Sequence, residues 1–557
     1  MSATPQVQGA LPLDARLKPE FIESLDPVTG ETVARFTATR LEEVPQLLQR
    51  AREAQPSWGS RTVRERCAYL RRLGAIVYQR RDEIAQVIST ETGKPRVEAI
   101  FAEVLLVLDL IRLYERNAPH WLRSERVPHS NPAMKTKKGW MQFEPLGVVG
   151  VISPWNFPFV IPMAEMITAA AAGNAVLLKP SELTPWCGSL IGDLFAAAGF
   201  LEGLVQVLQG GGDLGAALVE SRPDKVFFTG SVDTGKKIAE TCARHLIPSV
   251  LELGGKDAMI VMADARLEQA ASAAVWGSLM NCGQACVSTE RIYVEASVAK
   301  KFTLLCLEKV RALRLGPSSD PEADIGPMIR PRQLETVEVQ LEDAVKRGAQ
   351  ILAGGRRRPE LGPSFFEPTV ISELNSSMRI MSDETFGPVV AISRVADAEE
   401  AIALANDSAF ALSASIWTRD ARRGREIASR LRVGAVMVND VASYYGISAA
   451  PHGGRDSSGW GRTHSRLGLL EMVHVKYVDV ERLPGFAKAW WFGYGAEIES
   501  AADEFLQVLY APRWSERWRA LRACAPKFLS RIRGAGRKKD RRSENEPATG
   551  AGKSEEQ

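Results

Sequence analysis

The chain has 557 residues, 45% of them hydrophobic and 25% charged, an ordinary globular balance with length for two or three domains. Seven cysteines (Cys67, Cys187, Cys242, Cys282, Cys286, Cys306, Cys524) are odd in number and scattered, which excludes a disulfide scaffold and fits a reduced, cytoplasmic compartment. Net charge is only +3 and the start, Met1-Ser2-Ala3-Thr4-Pro5, lacks a basic segment followed by an apolar one. Neither a signal peptide nor a membrane span is expected, since apolar stretches such as 104–113 are broken by residues like Asp109.

Residues 41–114 have helical periodicity, with Leu70, Leu73, Ile76 and Val77 on one face and Arg71, Arg72, Arg80 and Arg81 on the other. From Gly147 to Gly255 the texture changes to short apolar runs, 148–152, 175–178, 205–208, 225–228 and 250–253, alternating with helical stretches. This predicts parallel strands joined by crossover helices, a doubly wound nucleotide-binding sheet. A second α/β region follows Cys286, with strands predicted at 291–294, 389–394 and 435–439. Past Val480 come the aromatic cluster Trp490-Trp491-Phe492-Gly493-Tyr494, then Trp514, Trp518, Leu521 and Ala525 at helical spacing among Arg513, Arg517, Arg519 and Arg522, with Pro526 as a kink or break. Residues 513–542 hold 12 Lys/Arg against Glu516 and Asp540, so the basic character belongs to the tail. The polar end, 534–557, is expected to be disordered.

The chemistry concentrates in a few segments. Asn281-Cys282-Gly283-Gln284-Ala285-Cys286 places small residues around a cysteine, so backbone N–H groups can approach and support a thiolate at neutral pH. Cys282 is a redox partner or a bystander. Glu252, in Leu251-Glu252-Leu253-Gly254-Gly255-Lys256, falls at the carboxyl end of a strand, where open α/β sheets bind ligands; it is either a base or the ion-pair partner of Lys256. In Pro154-Trp155-Asn156-Phe157-Pro158 two prolines present the Asn156 amide rigidly, as a developing oxyanion requires or as a plain turn provides. Lys179-Pro180-Ser181-Glu182 ends the next strand, within reach of ribose hydroxyls. Phe228-Thr229-Gly230-Ser231 opens a helix whose free N–H groups favour a pyrophosphate, and Gly210, Gly212 and Gly215 add a permissive turn.

These motifs, in this order, resemble the aldehyde dehydrogenase superfamily from about residue 17 to 480, together with Glu91-Thr92-Gly93-Lys94-Pro95, Glu384-Thr385-Phe386-Gly387-Pro388, Pro451-His452-Gly453-Gly454 and Ser458-Gly459-Trp460-Gly461-Arg462. The resemblance implies an α/β fold with a Rossmann-type cofactor domain (1–135 and 146–254), an α/β catalytic domain (255–445) and a small β oligomerisation arm (136–145 and 470–481) that pairs between subunits of a dimer or tetramer. A C-terminal amphipathic extension (482–533) and the tail 534–557 lie beyond it. It implies Cys286 as nucleophile, Glu252 as general base and Asn156 with the Cys286 N–H as oxyanion hole. The dinucleotide would be held by Ile152, Ser153, Pro154, Trp155, Lys179, Ser181, Glu182, Gly212, Gly230, Ser231, Leu253, Glu384 and Phe386; no metal is implied.

On that basis an aldehyde is oxidised to an acid through a Cys286 thioester hydrolysed by Glu252-activated water. Glu182 near the ribose favours NAD, with NADP the alternative. Enzymes for succinate semialdehyde carry an arginine about where Ala164 stands, and its absence, with Phe157, Val160, Ile161, Trp276, Tyr444 and Tyr445 at the entrance, points to an apolar or aromatic aldehyde. A succinate-semialdehyde enzyme and a catalytically idle membrane-surface scaffold are the alternatives. The tryptophan- and arginine-rich extension suits an anionic membrane surface or its own oligomer, while nucleic acid is not expected because no recognition module accompanies the charge.

Overall fold

The apolar runs form the strands expected of them, and the computed structural model describes residues 21–484, 488, 490–492 and 494–537. The chain divides into two compact units, Met1–Arg123 with Phe143–Val475, and Ser124–Gln142 with Lys476–Gln557.

The first unit opens with an antiparallel hairpin, β1 (Phe21–Leu25) and β2 (Thr32–Thr37). The sequence reading passed over this hairpin, whose residues are mostly exposed and carry no apolar run. Helices Val44–Gly59, Val63–Gln79, Arg81–Thr92 and Leu105–Trp121 follow. Leu70, Leu73 and Val77 are buried as the periodicity requires. The helix Val63–Gln79 starts at a reciprocal cap in which Thr62 accepts from the Glu65 N–H and Glu65 accepts from the Thr62 N–H.

In the second unit a three-stranded sheet in the order β18-β4-β3 combines β3 (Glu125–Val127), β4 (Lys137–Pro145) and β18 (Val473–Glu481). The two arm segments are thus neighbours within one chain. The same unit carries two helices, Ala496–Tyr510 and Trp514–Arg537; Pro526 lies inside the second without ending it.

Strands β5 (Val148–Ile152), β6 (Ala175–Lys179), β7 (Val205–Val207), β8 (Lys225–Thr229) and β9 (Ser249–Glu252) form a parallel sheet ordered β9-β8-β5-β6-β7, with antiparallel β17 (Gly459–Trp460) beside β9. Almost every side chain of β5, β6 and β8 is buried, as helices on both faces demand. A seven-stranded sheet, ordered β12-β13-β14-β11-β10-β15-β16, takes β10 (Asp257–Val261), β11 (Thr289–Glu295), β12 (Gln350–Ala353), β13 (Thr369–Ser372), β14 (Val389–Val395), β15 (Ser413–Trp417) and β16 (Ala435–Val438). All its pairings are parallel except that of the edge strand β12.

Two buried carboxylates fix the helical layer to the first sheet. Glu91 accepts from Ser24 Oγ (2.6 Å) and from the N–H groups of Trp186 and Cys187, at the start of the helix Pro185–Ala197. Glu103 lies in a π-helical turn, Ile100–Val104, that feeds the helix Leu105–Trp121. Its Oε2 accepts from the N–H groups of Phe159 (2.8 Å) and Val160 (3.2 Å), and its Oε1 from Lys94 Nζ (2.7 Å). Lys94 Nζ also donates to the Asn156 carbonyl (2.8 Å), and neither member of the pair is exposed. Lys94→Met leaves Glu103 as an uncompensated buried charge and is expected to cost about 3–5 kcal/mol; a urea-unfolding midpoint equal to the parent's would contradict this.

Candidate functional site

The two sheets meet where the chain leaves β9 at Glu252 and enters β10 at Asp257 through Leu253-Gly254-Gly255-Lys256. Any Cβ at Gly255 would run into the Cys286 carbonyl, and one at Gly254 would meet the Glu384 carboxylate at 2.6 Å. The Gly255 N–H donates to Glu384 Oε1 (2.9 Å). Lys256 is not the partner of Glu252: its ammonium donates to Glu290 (2.6 Å) and Thr385 (3.0 Å). Both oxygens of the buried Glu252 carboxyl lack a hydrogen-bond partner among the described residues, and His452 Nε2 stands 3.6 Å from Oε2. A base without an ion-pair partner, facing a cavity, can take a proton from water.

Cys286 follows a strained turn. Asn281 (φ 49°), Cys282 (φ 56°) and Gly283 (φ 72°) are consecutively left-handed, a conformation that costs a non-glycine residue roughly 1–2 kcal/mol. A side chain at Gly283 would collide with the Gly387 carbonyl. Hydrogen bonds hold the turn from several sides: Glu98 accepts from the Asn281 N–H (3.0 Å), Asn281 Nδ2 donates to the carbonyls of Asn156 (2.9 Å) and Gln284 (3.1 Å), and Gln284 Oε1 accepts from the Ile329 N–H (2.9 Å). Asn156 Nδ2 donates to the Gln284 carbonyl (3.1 Å), which ties the expected amide donor to the same turn.

Among the cysteines, Cys286 is partly accessible and the other six are buried. The expectation of a thiolate supported at neutral pH is corrected here. Burial pushes the Cys286 thiol well above its ordinary range, and the charges of Asp257, Glu252 and Glu384 push it further; the Val287 N–H acts in the opposite sense but more weakly. Burial and Glu165 likewise raise Glu252 well above the usual carboxylate range, with Arg462 opposing. Glu165 is pushed up to about 8, chiefly by burial, and His452 down to about 3 for the same reason. Burial thus opposes charge on the thiol, the carboxyls and the histidine of this site alike. Cys282 is raised by burial too and stays a closed bystander.

A cavity of about 590 Å³ is lined by every residue expected to touch the dinucleotide, Ile152 through Trp155, Lys179, Ser181, Glu182, Gly212, Gly230, Ser231, Leu253, Glu384 and Phe386, together with Asn156 and Cys286. Two helix starts border it: Gly212, where an added Cβ would meet nothing within 4 Å, and Ser231, which caps the helix Val232–His245 by accepting from the Thr234 N–H (3.4 Å). Such N-termini receive a pyrophosphate. Lys179 and Glu182 form an ion pair at 3.5 Å, and Trp155 meets Phe386 edge to face at 5.4 Å. Lys237 and Arg330, which the sequence reading missed, line the same cavity; Lys237 lies one helical turn beyond the glycine-rich segment, a signal open to finding.

A second cavity, about 200 Å³, shares Cys286, Thr229 and Ile161 with the first and adds Glu252, Glu165 and His452. Cys286 thus stands where the two spaces join. Of the expected entrance residues, Phe157, Ile161, Trp276 and Tyr445 line it, whereas Val160 and Tyr444 do not. Val160 points from its helix into the core, fully buried, and Tyr444 stacks on His452 at 5.4 Å. Phe101, Ala102, Leu106 and Met280 line it unanticipated. A further depression of about 150 Å³ shares Phe101, Ala102, Phe157, Trp276 and Met280 with it, so the two adjoin along a mainly apolar wall. Neither holds a lysine or arginine among the described lining residues.

A family model described as the aldehyde dehydrogenase family matches residues 15–478. A 4,4'-diapolycopene aldehyde oxidase from Methylomonas sp is 39% identical over 491 residues, 88% of this chain and 91% of that relative. A putative succinate-semialdehyde dehydrogenase [NADP(+)] from Mycolicibacterium smegmatis is 40% identical over 457 residues, 82% of this chain and 88% of that relative. The crystal structure of betaine aldehyde dehydrogenase from Staphylococcus aureus in complex with NAD+ superposes with a TM-score of 0.80 at 30% identity, covering 85% of this chain and 93% of that one.

A thiol held protonated should be alkylated by iodoacetamide at a rate that climbs about tenfold per pH unit through neutrality and beyond. Mass spectrometry should find the label on Cys286 ahead of the buried cysteines. A rate already level below pH 8 would show a thiolate in the resting protein.

Proposed function

The chain belongs to the aldehyde dehydrogenase family, and on that premise we propose that this NAD(P)-dependent enzyme oxidises an apolar, extended aldehyde, as a homo-oligomer working at a membrane surface. The observation that carries the substrate class is the mainly apolar wall of the two adjoining cavities beside Cys286, without a cation among the described lining residues. A substrate bearing a second carboxylate would find no lysine or arginine there and would face Glu165 and Glu252, which argues against a succinate-semialdehyde enzyme. The relative named for 4,4'-diapolycopene aldehyde, an apolar polyene, supports the same class. The oligomer is supported by the exposed side chains of β18 in the three-stranded sheet.

Cys286 Sγ releases its proton to solvent water and adds as a thiolate to the aldehyde carbon, and the new oxyanion is held by the Asn156 amide and the Cys286 N–H. The dinucleotide, when bound, supplies the hydride acceptor that turns this adduct into a thioester. The two helix N-termini, Lys179 and Glu182 would hold it, and Glu384 and Phe386, which line the same cavity as Cys286, would orient it. Glu252 then takes a proton from water, whose oxygen attacks the thioester carbon; the acid leaves and the thiol returns. Because burial raises Glu252 well above the usual carboxylate range, its basic form gains population as pH rises, and deacylation quickens in the same direction. With Lys237 in the cavity as well as Glu182, either cofactor can be accommodated at the ribose.

Cys286→Ala should abolish reduction of the cofactor, while Glu252→Gln should keep a single-turnover burst but slow steady turnover by at least tenfold and flatten its rise with pH. Wild-type turnover in either variant would overturn the roles. Across straight-chain aldehydes from acetaldehyde to decanal, kcat/KM should grow by about fourfold per methylene, the worth of roughly 0.8 kcal/mol of burial, until the cavity is filled. A steady fall along that series would refute the apolar substrate.

A further inference from the structure

The C-terminal helices lie outside the matched family region, and the aldehyde chemistry leaves them unused. They pack on each other through Ala501, Ala520 and Cys524, all buried. Phe505 meets Phe528 edge to face at 5.9 Å, and Lys527 donates to Glu504 at 2.6 Å. That contact consumes one face of the helix Trp514–Arg537. A different face holds Trp514, Trp518, Leu521, Ala525 and Leu529, spaced four, three, four and four residues apart. Its large side chains are exposed, Trp514 by 69%, Trp518 by 50% and Leu529 by 52%. Helical geometry puts the exposed Arg522, with Arg519 beyond it, along the open side of this stripe, while on the packed side Arg517 donates to the Ala511 carbonyl (2.6 Å) and Arg513 lies 4.0 Å from Glu516. Leu529 also borders an apolar groove of about 1240 Å³ lined by Trp490, Ile498, Phe505, Leu506 and Phe528. Among the described residues no helix is long and apolar enough to cross a membrane.

We infer that the stripe from Trp514 to Leu529 lies flat in the surface of an anionic bilayer, with tryptophan and leucine among the acyl chains and the flanking arginines on lipid phosphates. This deepens the reading of an enzyme for apolar aldehydes, since such substrates partition into the same layer. Charge chooses the bilayer over a second copy of the chain. A two-fold contact through this stripe would set Arg519 and Arg522 against their own images, whereas anionic headgroups neutralise them. The basic run Arg537-Lys538-Lys539 continues the same preference in sequence. A short amphipathic helix with tryptophan on its apolar side and arginine at its borders suits interfacial depth, where apolar burial and headgroup attraction add.

The full-length protein should sediment with vesicles of phosphatidylcholine and phosphatidylglycerol in equal parts, and about tenfold less with phosphatidylcholine alone or in high salt. The triple variant Trp514→Ser, Trp518→Ser, Leu521→Ser changes exposed positions only. It should lose binding by at least tenfold while oxidising a water-soluble aldehyde at the parent rate, so that vesicle binding and catalysis fail separately. The inference is overturned if the parent stays in the supernatant with anionic vesicles, if the triple variant binds them as the parent does, or if those substitutions lower the oligomer mass in sedimentation equilibrium, which would put a second copy on the stripe.

Discussion

The site depends on one close approach, that of the Gly255 backbone to the Cys286 carbonyl. Sheet β9-β8-β5-β6-β7 and sheet β12 to β16 are separate hydrogen-bonded systems, and the chain passes between them in the four residues that follow Glu252. With a side chain at Gly255 the Cys286 loop would be pushed off, and the nucleophile would no longer share a cavity with the base. Gly254 does the same for Glu384, whose carboxylate occupies the space a Cβ would need while accepting the next residue's N–H. Glycine is required here for proximity alone, since neither residue has a positive φ.

That proximity crowds acids. Glu252, Asp257 and Glu384 all act on Cys286, Glu165 acts on Glu252, and burial raises each of these groups. The neighbouring cations are engaged elsewhere, Lys256 with Glu290 and Lys94 with Glu103. Burial and mutual repulsion thus both oppose charge on the thiol and the acids of this centre. A buried glutamate with both oxygens unpartnered is costly for stability and serviceable for chemistry.

The buried strands were legible because a parallel sheet covered on both faces demands uninterrupted apolar runs. Most of the lining of the 590 Å³ cavity was legible because it lies at the ends of those strands, whereas Glu384 and Phe386 come before β14 and were reached only through the family resemblance. The hairpin β1–β2 was not legible, since its residues are exposed and its stability comes from pairing rather than pattern. Neither was the electrostatic state of Cys286: the sequence suggests helpful backbone N–H groups, but Asp257 and Glu384 approach only through tertiary contact. Val160 and Tyr444 were misplaced for a simpler reason. Apolarity tells that a side chain is buried, while the rotation of its backbone decides whether it faces the core or the cavity. His452 lies in a motif that the resemblance marks without giving it a role, and Glu165, on the helix that follows Pro158, is brought to the cavity by the packing of that helix.

The π-helical turn at Ile100–Val104 widens the helix by one residue per turn, so the segments before and after it are out of phase with any single helical wheel. Phe101 and Ala102 thereby face the aldehyde cavity while Glu103 turns inward to the start of the helix Val160–Ala172. Cavity wall and structural anchor are adjacent residues of the same π-helical turn. Straightening that turn to reshape the cavity would therefore also release the carboxylate that accepts from Phe159 and Val160 and, through Lys94, holds the Asn156 carbonyl.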